Sequence, residues 1–230
     1  MKIIIIILLS LIPSLFWLLV IRFIDRRRPE PRRFIILAFI LGIIIAFLAL
    51  QVGKLALSLL NSFSVSSLVY ILIGSFLIDG LIEELAKFSV VRIFIYPQSF
   101  FDEPLDGVVY MVTVALGLAF FENLLIAWQI GPEILGLRAV TATLMHVLAG
   151  GITGYYLGLA RFRRKKEKRS SVHLIILGLS LAIIFHGLYN TIARANVVWN
   201  LLPIAVLLIV VYWFILRGIK KLRHQSIPKE

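Results

Sequence analysis

The sequence predicts an all-α membrane protein, a polytopic bundle of about seven transmembrane helices with its N-terminus outside and its C-terminus in the cytoplasm. Three observations carry the prediction. Of the 230 residues, 60% are apolar, and the mean hydropathy is +0.99, far above the composition of a soluble domain. Apolar runs close to the roughly 20 residues needed to cross a bilayer recur along the whole chain. Lys and Arg collect in alternate loops between those runs, the pattern that sets membrane topology.

Spans are expected over residues 3–22, 34–60, 68–95, 107–130, 138–160, 173–194 and 198–217. The first apolar run, Ile3–Ile21, exceeds a signal-peptide core and is followed by basic residues instead of a small-residue cleavage site. It reads as a retained span. Pro29 and Pro31 break the basic loop 22–33, NSFSVSS forms the turn 61–67, and Gly131-Pro132 opens the turn 131–137. A short turn near Arg194–Val197 separates the last two spans. With seven spans, loop 22–33 (six Lys/Arg), loop 161–172 (seven) and the tail from Arg217 (five) share one side. Only Lys2, Arg138 and Arg194 face the other, and eighteen against three makes the first side cytoplasmic. The acidic loop 96–106 is the exception on that side. Trp17, Tyr70, Tyr96, Trp128, Tyr155, Tyr156, Trp199, Tyr212 and Trp213 lie toward span ends, as an interfacial aromatic belt does. No composition shift or repeat marks a boundary, so one transmembrane domain, 1–230, is expected, with its motifs within about 75–195.

Composition also removes function classes. The formal charge of +12 sits in short loops and not on a separate basic domain, so the lipid bilayer is an expected partner and nucleic acid is not. Without cysteine, disulfides, thiolate metal sites and a cysteine nucleophile are excluded.

The informative residues are charges inside spans. Leu77–Arg92 reads LIDGLIEELAKFSVVR and places Asp79, Glu83, Glu84 and Lys87 in the third span. Each costs about 2.5–3.5 kcal/mol at mid-membrane on an insertion scale. They must line a watered or protein-walled cavity, pair, or lose their charge. Glu83 and Glu84 point about 100° apart on a helix, and Lys87 is within reach of both. One carboxylate is expected to pair with Lys87 while the other faces a cavity; a plain ion pair is the alternative. Glu122-Asn123 lies in the fourth span. In the fifth, His146 heads the stripe Gly150, Gly154 and Gly158, a face for close approach of a helix or a substrate. His186 and Asn190 share one face of the sixth. At 1.5 Å per residue, Glu122, His146 and His186 all lie roughly 12 Å inside the outer ends of their spans, and Asp79 and Glu83 roughly 16–22 Å. The groups can meet in one layer.

Carboxylates beside imidazoles supply a general base, a general acid and an orienting group, and Asn190 or a histidine can donate to an oxyanion. No resident cofactor is expected. A divalent metal is left open, with Glu83, His146 and His186 as its ligands if one is held, because H-E-x-x-H is absent. A serine mechanism is disfavoured, since Gly178-Leu179-Ser180-Leu181 lacks the second glycine of a nucleophile elbow. A proton-coupled transporter would also bury Asp, Glu and His, but the repeated halves and interrupted helices of that class are not seen. A non-catalytic scaffold using the glycine stripe leaves the buried carboxylates unexplained.

The segments E83-E-L-A-K87, F121-E-N123, H146-V-L-A-G150 and H186-G-L-Y-N190 fall in order on four successive spans. In this the chain resembles the PrsW family of glutamate-type intramembrane proteases, relatives of the CAAX prenyl-protein endoproteases. One departure is Leu118, where the family pattern F-x-x-x-E-N has Phe, with Phe120 and Phe121 as candidates for its space. The resemblance implies a multi-pass protease of the cell membrane that cuts a single-pass, anti-sigma-factor-like substrate. It implies catalysis by Glu83, Glu84, His146 and His186, with Lys87, Glu122, Asn123 and Asn190 in support. A CAAX-type activity is the alternative within the wider group, but E-E-x-x-K here, against E-E-x-x-x-R there, favours the PrsW side.

Overall fold

Every regular element among the described residues is helical, as runs of apolar residues in lipid require, since a helix satisfies its backbone internally. The computed structural model describes residues 2–162, 168–195 and 200–225. Residues 163–167 of the expected basic loop, 196–199 of the expected last turn with Trp199, and the tail from 226 lie outside the described residues. In chain order the elements are α1 (Lys2–Ile24), α2 (Arg32–Asn61), α3 (Ser67–Leu72), a π-helical segment (Ile73–Leu81), α4 (Ile82–Val90) and a second π-helical segment (Val91–Ile95). After them come α5 (Asp106–Ile130), a 3-10 turn (Pro132–Ile134), α6 (Leu135–Val140), α7 (Ala142–Phe162), α8 (Lys168–Arg194) and α9 (Leu201–Gln225).

Six helical stretches among the described residues are long and apolar enough to cross a membrane. The expected third span is the seventh. It runs without a break over 67–95, but its winding alternates between α and π, so no single regular segment reaches spanning length. The wider π turn sits just before Glu83, and such turns re-aim side chains at functional sites. Gly80 marks the contact: a Cβ there would lie 3.1 Å from the Ile183 carbonyl and 3.5 Å from the Gly187 amide of α8. Two backbones therefore meet where the wide turn passes α8.

α5 is apolar on all sides and is the buried centre of the bundle, as a helix without a polar face must be. Its Gly117 meets Gly42 of α2. On another face the stripe on α7 packs against it: Gly150 opposes the Met111 carbonyl, Gly154 the Gly107 carbonyl and Val108 Cα, and Gly158 the Pro104 carbonyl. The stripe is thus occupied by a helix of the same chain. Around this centre, α1, α2, α8 and α9 present Ile, Leu, Val and Phe outward, as helices against lipid do.

Three of the expected turns gather at one end. The Arg161 side chain at the end of α7 donates to the backbone carbonyl of Tyr96, and to that of Gln98 at 3.2 Å, and lies over the Tyr96 and Phe101 rings. Glu103 lies 4.0 Å from Arg28 of the loop between α1 and α2. Loops 22–33 and 96–106 and the start of 161–172 therefore share a side, as the alternation of seven spans requires. Of the aromatic residues assigned to a belt, Tyr155 and Tyr156 turn inward over Gly218 and Gly178. They fill interhelical gaps left by glycine.

Candidate active site

The first turn of α4 follows the wide π turn and carries Glu83 and Glu84 with different surroundings. The Glu84 side chain is 0% exposed: Lys87 Nζ donates to its Oε1 at 2.5 Å, and His186 Nδ1 meets the same oxygen at 2.7 Å. Glu83 is the carboxylate that faces open space, 16% exposed. Its Oε2 has no hydrogen-bond partner and lies 3.9 Å from His186 Nε2.

The two histidines come from α7 and α8, with ring centroids 5.2 Å apart at 88°. Each is held from behind by a carboxylate. His146 Nε2 meets Glu122 Oε2 of α5 at 3.1 Å, and its Nδ1 is buried without a partner. A ring nitrogen facing an ionised carboxylate carries the proton, so His146 Nδ1 and His186 Nε2 are left with free lone pairs. One ligand atom each from Glu83, His146 and His186 lies within 4.8 Å of the other two.

These groups line one cavity of about 370 Å³ with Asp79, Glu122, Asn190, Arg138 and Arg194. Asn190 Nδ2 donates to Asp79 Oδ2 at 3.0 Å, and Arg194 pairs with the same oxygen at 2.5 Å. Glu84 and Lys87 stand behind the wall. Asn123 is also behind it, accepting from Arg138 Nε at 2.6 Å and donating to Thr143 Oγ1 at 3.1 Å. Gly150 and Gly154 are away from the cavity, on the face of α7 packed against α5. Leu118 keeps a buried position of its own, while Phe120 and Phe121 pack toward Phe39 and Phe47 of α2.

Arg138 and Arg194 escaped the sequence reading, which counted them only toward topology. Arg138 Nη2 also reaches Glu122 Oε2 at 3.2 Å, so one guanidinium joins both residues of the Glu-Asn pair. A usable signal existed for Arg194: with His186 and Asn190 it forms an i, i+4, i+8 row on one helix face. Nothing in the spacing of Arg138, across a turn from Glu122, offered the same.

A family profile described as PrsW family intramembrane metalloprotease matches residues 30–217. The chain belongs to this family. Among curated proteins it is similar to Protease PrsW of Bacillus subtilis (strain 168), 35% identical over 201 residues, 86% of this chain and 87% of that one. It is also similar to Protease PrsW of Clostridioides difficile (strain 630), 30% identical over 231 residues, 95% of this chain and 92% of the relative. Protease PrsW of Geobacillus kaustophilus (strain HTA426) is 29% identical over 207 residues, 89% and 86% of the two chains. No solved structure matches it significantly. Membership of PrsW, with the spanning helices, makes the chain a multi-pass membrane protease.

The family description implies a metal, and the donor set fits one. Two imidazole nitrogens with free lone pairs and a carboxylate are a three-ligand zinc-type set that leaves a position open. The Glu84–His186 and Glu122–His146 contacts reproduce the carboxylate–histidine support that metal-ligating imidazoles carry. The unpartnered Glu83 Oε2 and His146 Nδ1 are the atoms such an ion would use.

Proposed function

We propose that this protein is an endopeptidase of the cell membrane that cuts a membrane-embedded, single-pass substrate, anti-sigma-factor-like in architecture, at the cavity between α4, α5, α7 and α8. The observation that carries the reading is the division of the glutamate pair. Glu84, tied to Lys87 and His186, orients the imidazole. Glu83, unpaired and facing the cavity, takes the proton of the attacking water. The water oxygen adds to the scissile carbonyl, the carbon–nitrogen bond breaks, and Glu83 hands the proton on to the departing amine.

His146 is set by Glu122, and Arg138 in turn holds Glu122. Asp79 and Asn190 offer an acceptor and an amide to a substrate backbone at the cavity rim. Glu83, His146 and His186 would hold a zinc-type ion, which supplies polarisation of a carbonyl and a more acidic water. Glu83 has two oxygens, so one can serve the ion while the other accepts the proton.

The test is cleavage of a single-pass substrate in proteoliposomes. Glu83→Gln should lower the rate at least about 10³-fold while the protein remains folded in detergent. Full cleavage by Glu83→Gln removes Glu83 from the chemistry and overturns the reading. Elemental analysis of the wild type and of a His146→Ala/His186→Ala variant checks the ion: about one equivalent, lost in the variant, is the expected result.

A further inference from the structure

A second recess opens off the catalytic cavity, between α2, the π-helical segment Ile73–Leu81 and α5. α2 and α5 touch at Gly42, where a Cβ would lie 3.0 Å from Gly117 Cα. Eleven residues or about 16 Å further along α2, a Cβ on Gly53 would meet no atom of α5 within 4 Å, only Ile78 Cγ2 at 3.6 Å. The two helices have parted there, and the small residues Ala46, Ala49 and Gly53 line the gap. The space left is about 110 Å³.

Its walls are of two kinds. Ala46, Ala49, Gly53, Ile78, Leu118 and Phe121 make it apolar. Asp79, Glu83 and Glu122 line the catalytic cavity as well, so the two spaces meet at those carboxylates. Glu83, whose Oε2 is buried without a hydrogen-bond partner, lies on both. Lys54 also borders the recess and is exposed, so its apolar stem can follow the wall with the ammonium outside. The apolar part of the recess offers water few partners, whereas an aliphatic side chain gains there by leaving water.

We propose, on the reading that Glu83 activates water, that this recess is the specificity pocket for a side chain flanking the scissile bond, and that it takes an aliphatic residue up to leucine in size. That reading brings the scissile carbonyl to Glu83, and the Cα on either side is only about 1.5 Å from the reacting peptide group. A side chain on that Cα needs a space beside Glu83, and the recess is an apolar space at that point. Volume decides the class. A cavity of about 150 Å³ admits a benzene ring, so one of about 110 Å³ holds a branched aliphatic side chain and rejects an aromatic one. Leu118 on α5 and Gly53 on α2 set its size from two sides.

The experiment uses the full chain in proteoliposomes with a single-pass, anti-sigma-factor-like test protein, whose cut bond is located by mass spectrometry of the products. Each residue flanking that bond is then replaced in turn by Gly, Ala, Val, Leu, Phe and Trp. At one flank the wild type should cut the Val or Leu form at least about 10-fold faster than the Gly, Phe and Trp forms, since one methylene in an apolar pocket is worth roughly 10–200-fold. Leu118→Ala enlarges the recess and should raise the ratio of Phe to Leu cleavage at that flank at least about 10-fold. Gly53→Leu, whose Cβ meets only an ordinary contact, fills the recess and should shift the preference from Leu to Ala. Ratios within one enzyme do not depend on how much of a variant folds. Wild-type rates that do not distinguish Leu from Phe at either flank overturn the inference and leave the proposed function standing. So do ratios that neither variant moves. Failure of the wild type to cut any single-pass test protein overturns the proposed function, and this inference with it.

Discussion

The two ends of α5 bury carboxylates in opposite ways. Around Glu122 each acid has a basic partner on another turn or helix: Arg138 and His146 for Glu122, Lys87 and His186 for Glu84, Arg194 for Asp79. Glu83 is the exception, and it faces the cavity. Around Asp106 the acids are held by backbone amides and a tyrosine hydroxyl. The first arrangement pairs most of its charges and leaves one carboxylate facing the cavity. The second holds acids close together through neutral donors, with Arg28 4.0 Å from Glu103. Burial of acids alone therefore does not identify a catalytic site; the kind of partner does.

The largest test of this contrast is at His186. His186→Ala should reduce cleavage about 10³-fold in the proteoliposome assay and leave the pH dependence of the thermal midpoint, set at the other end of α5, unchanged. A changed pH dependence would merge the two ends into one unit. Glu84→Gln should have a smaller effect, about 10–100-fold on cleavage together with weaker retention of a metal on dialysis, because it disturbs only the orientation of His186. If Glu84→Gln is as inactive as Glu83→Gln, the division of the pair is wrong.

Gly154→Ala addresses the element between the two ends. Its Cβ would sit 2.6 Å from Val108 Cα, so α5 and α7 must separate, at a cost of about 1–3 kcal/mol. The thermal midpoint should fall by several degrees. A midpoint equal to that of the wild type would show that α7 is not in contact with α5 there.

The smallest effect concerns pH. Burial pushes Asp25 up to about 7; the carboxyls of Glu30 and Glu103 add to the shift, while the Glu30 amide and Arg22 oppose it. Asp106 completes the group of acids there. The folded state keeps a proton that the unfolded chain releases near 4. Stability should then fall as pH rises from about 4 to about 7. Asp25→Asn should flatten that slope in thermal unfolding measured across this range, and an unchanged slope would place the titration elsewhere.

Much of the architecture was legible because it is written in one dimension. Hydropathy and span length depend on neighbours along the chain, and the cost of a charge in lipid flagged Asp79, Glu83, Glu84, Glu122, His146 and His186 without any knowledge of packing. The depth of those residues followed from the helical rise. The glycine stripe was legible as a contact face, though not its partner.

What local pattern could not reach was pairing. Glu83 and Glu84 are equivalent in sequence, and only the π turn ahead of them, with α8 packed over Gly80, turned one toward Lys87 and His186 and the other toward the cavity. Arg138 and Arg194 looked like end-of-span charges until tertiary contacts brought them to Glu122 and Asp79. The acids of loops 22–33 and 96–106 belonged to two separate loops along the chain until the fold brought Asp25, Glu103 and Asp106 together. Periodicity and transfer cost are properties of a segment, whereas the partner of a buried charge is a property of what folds against it.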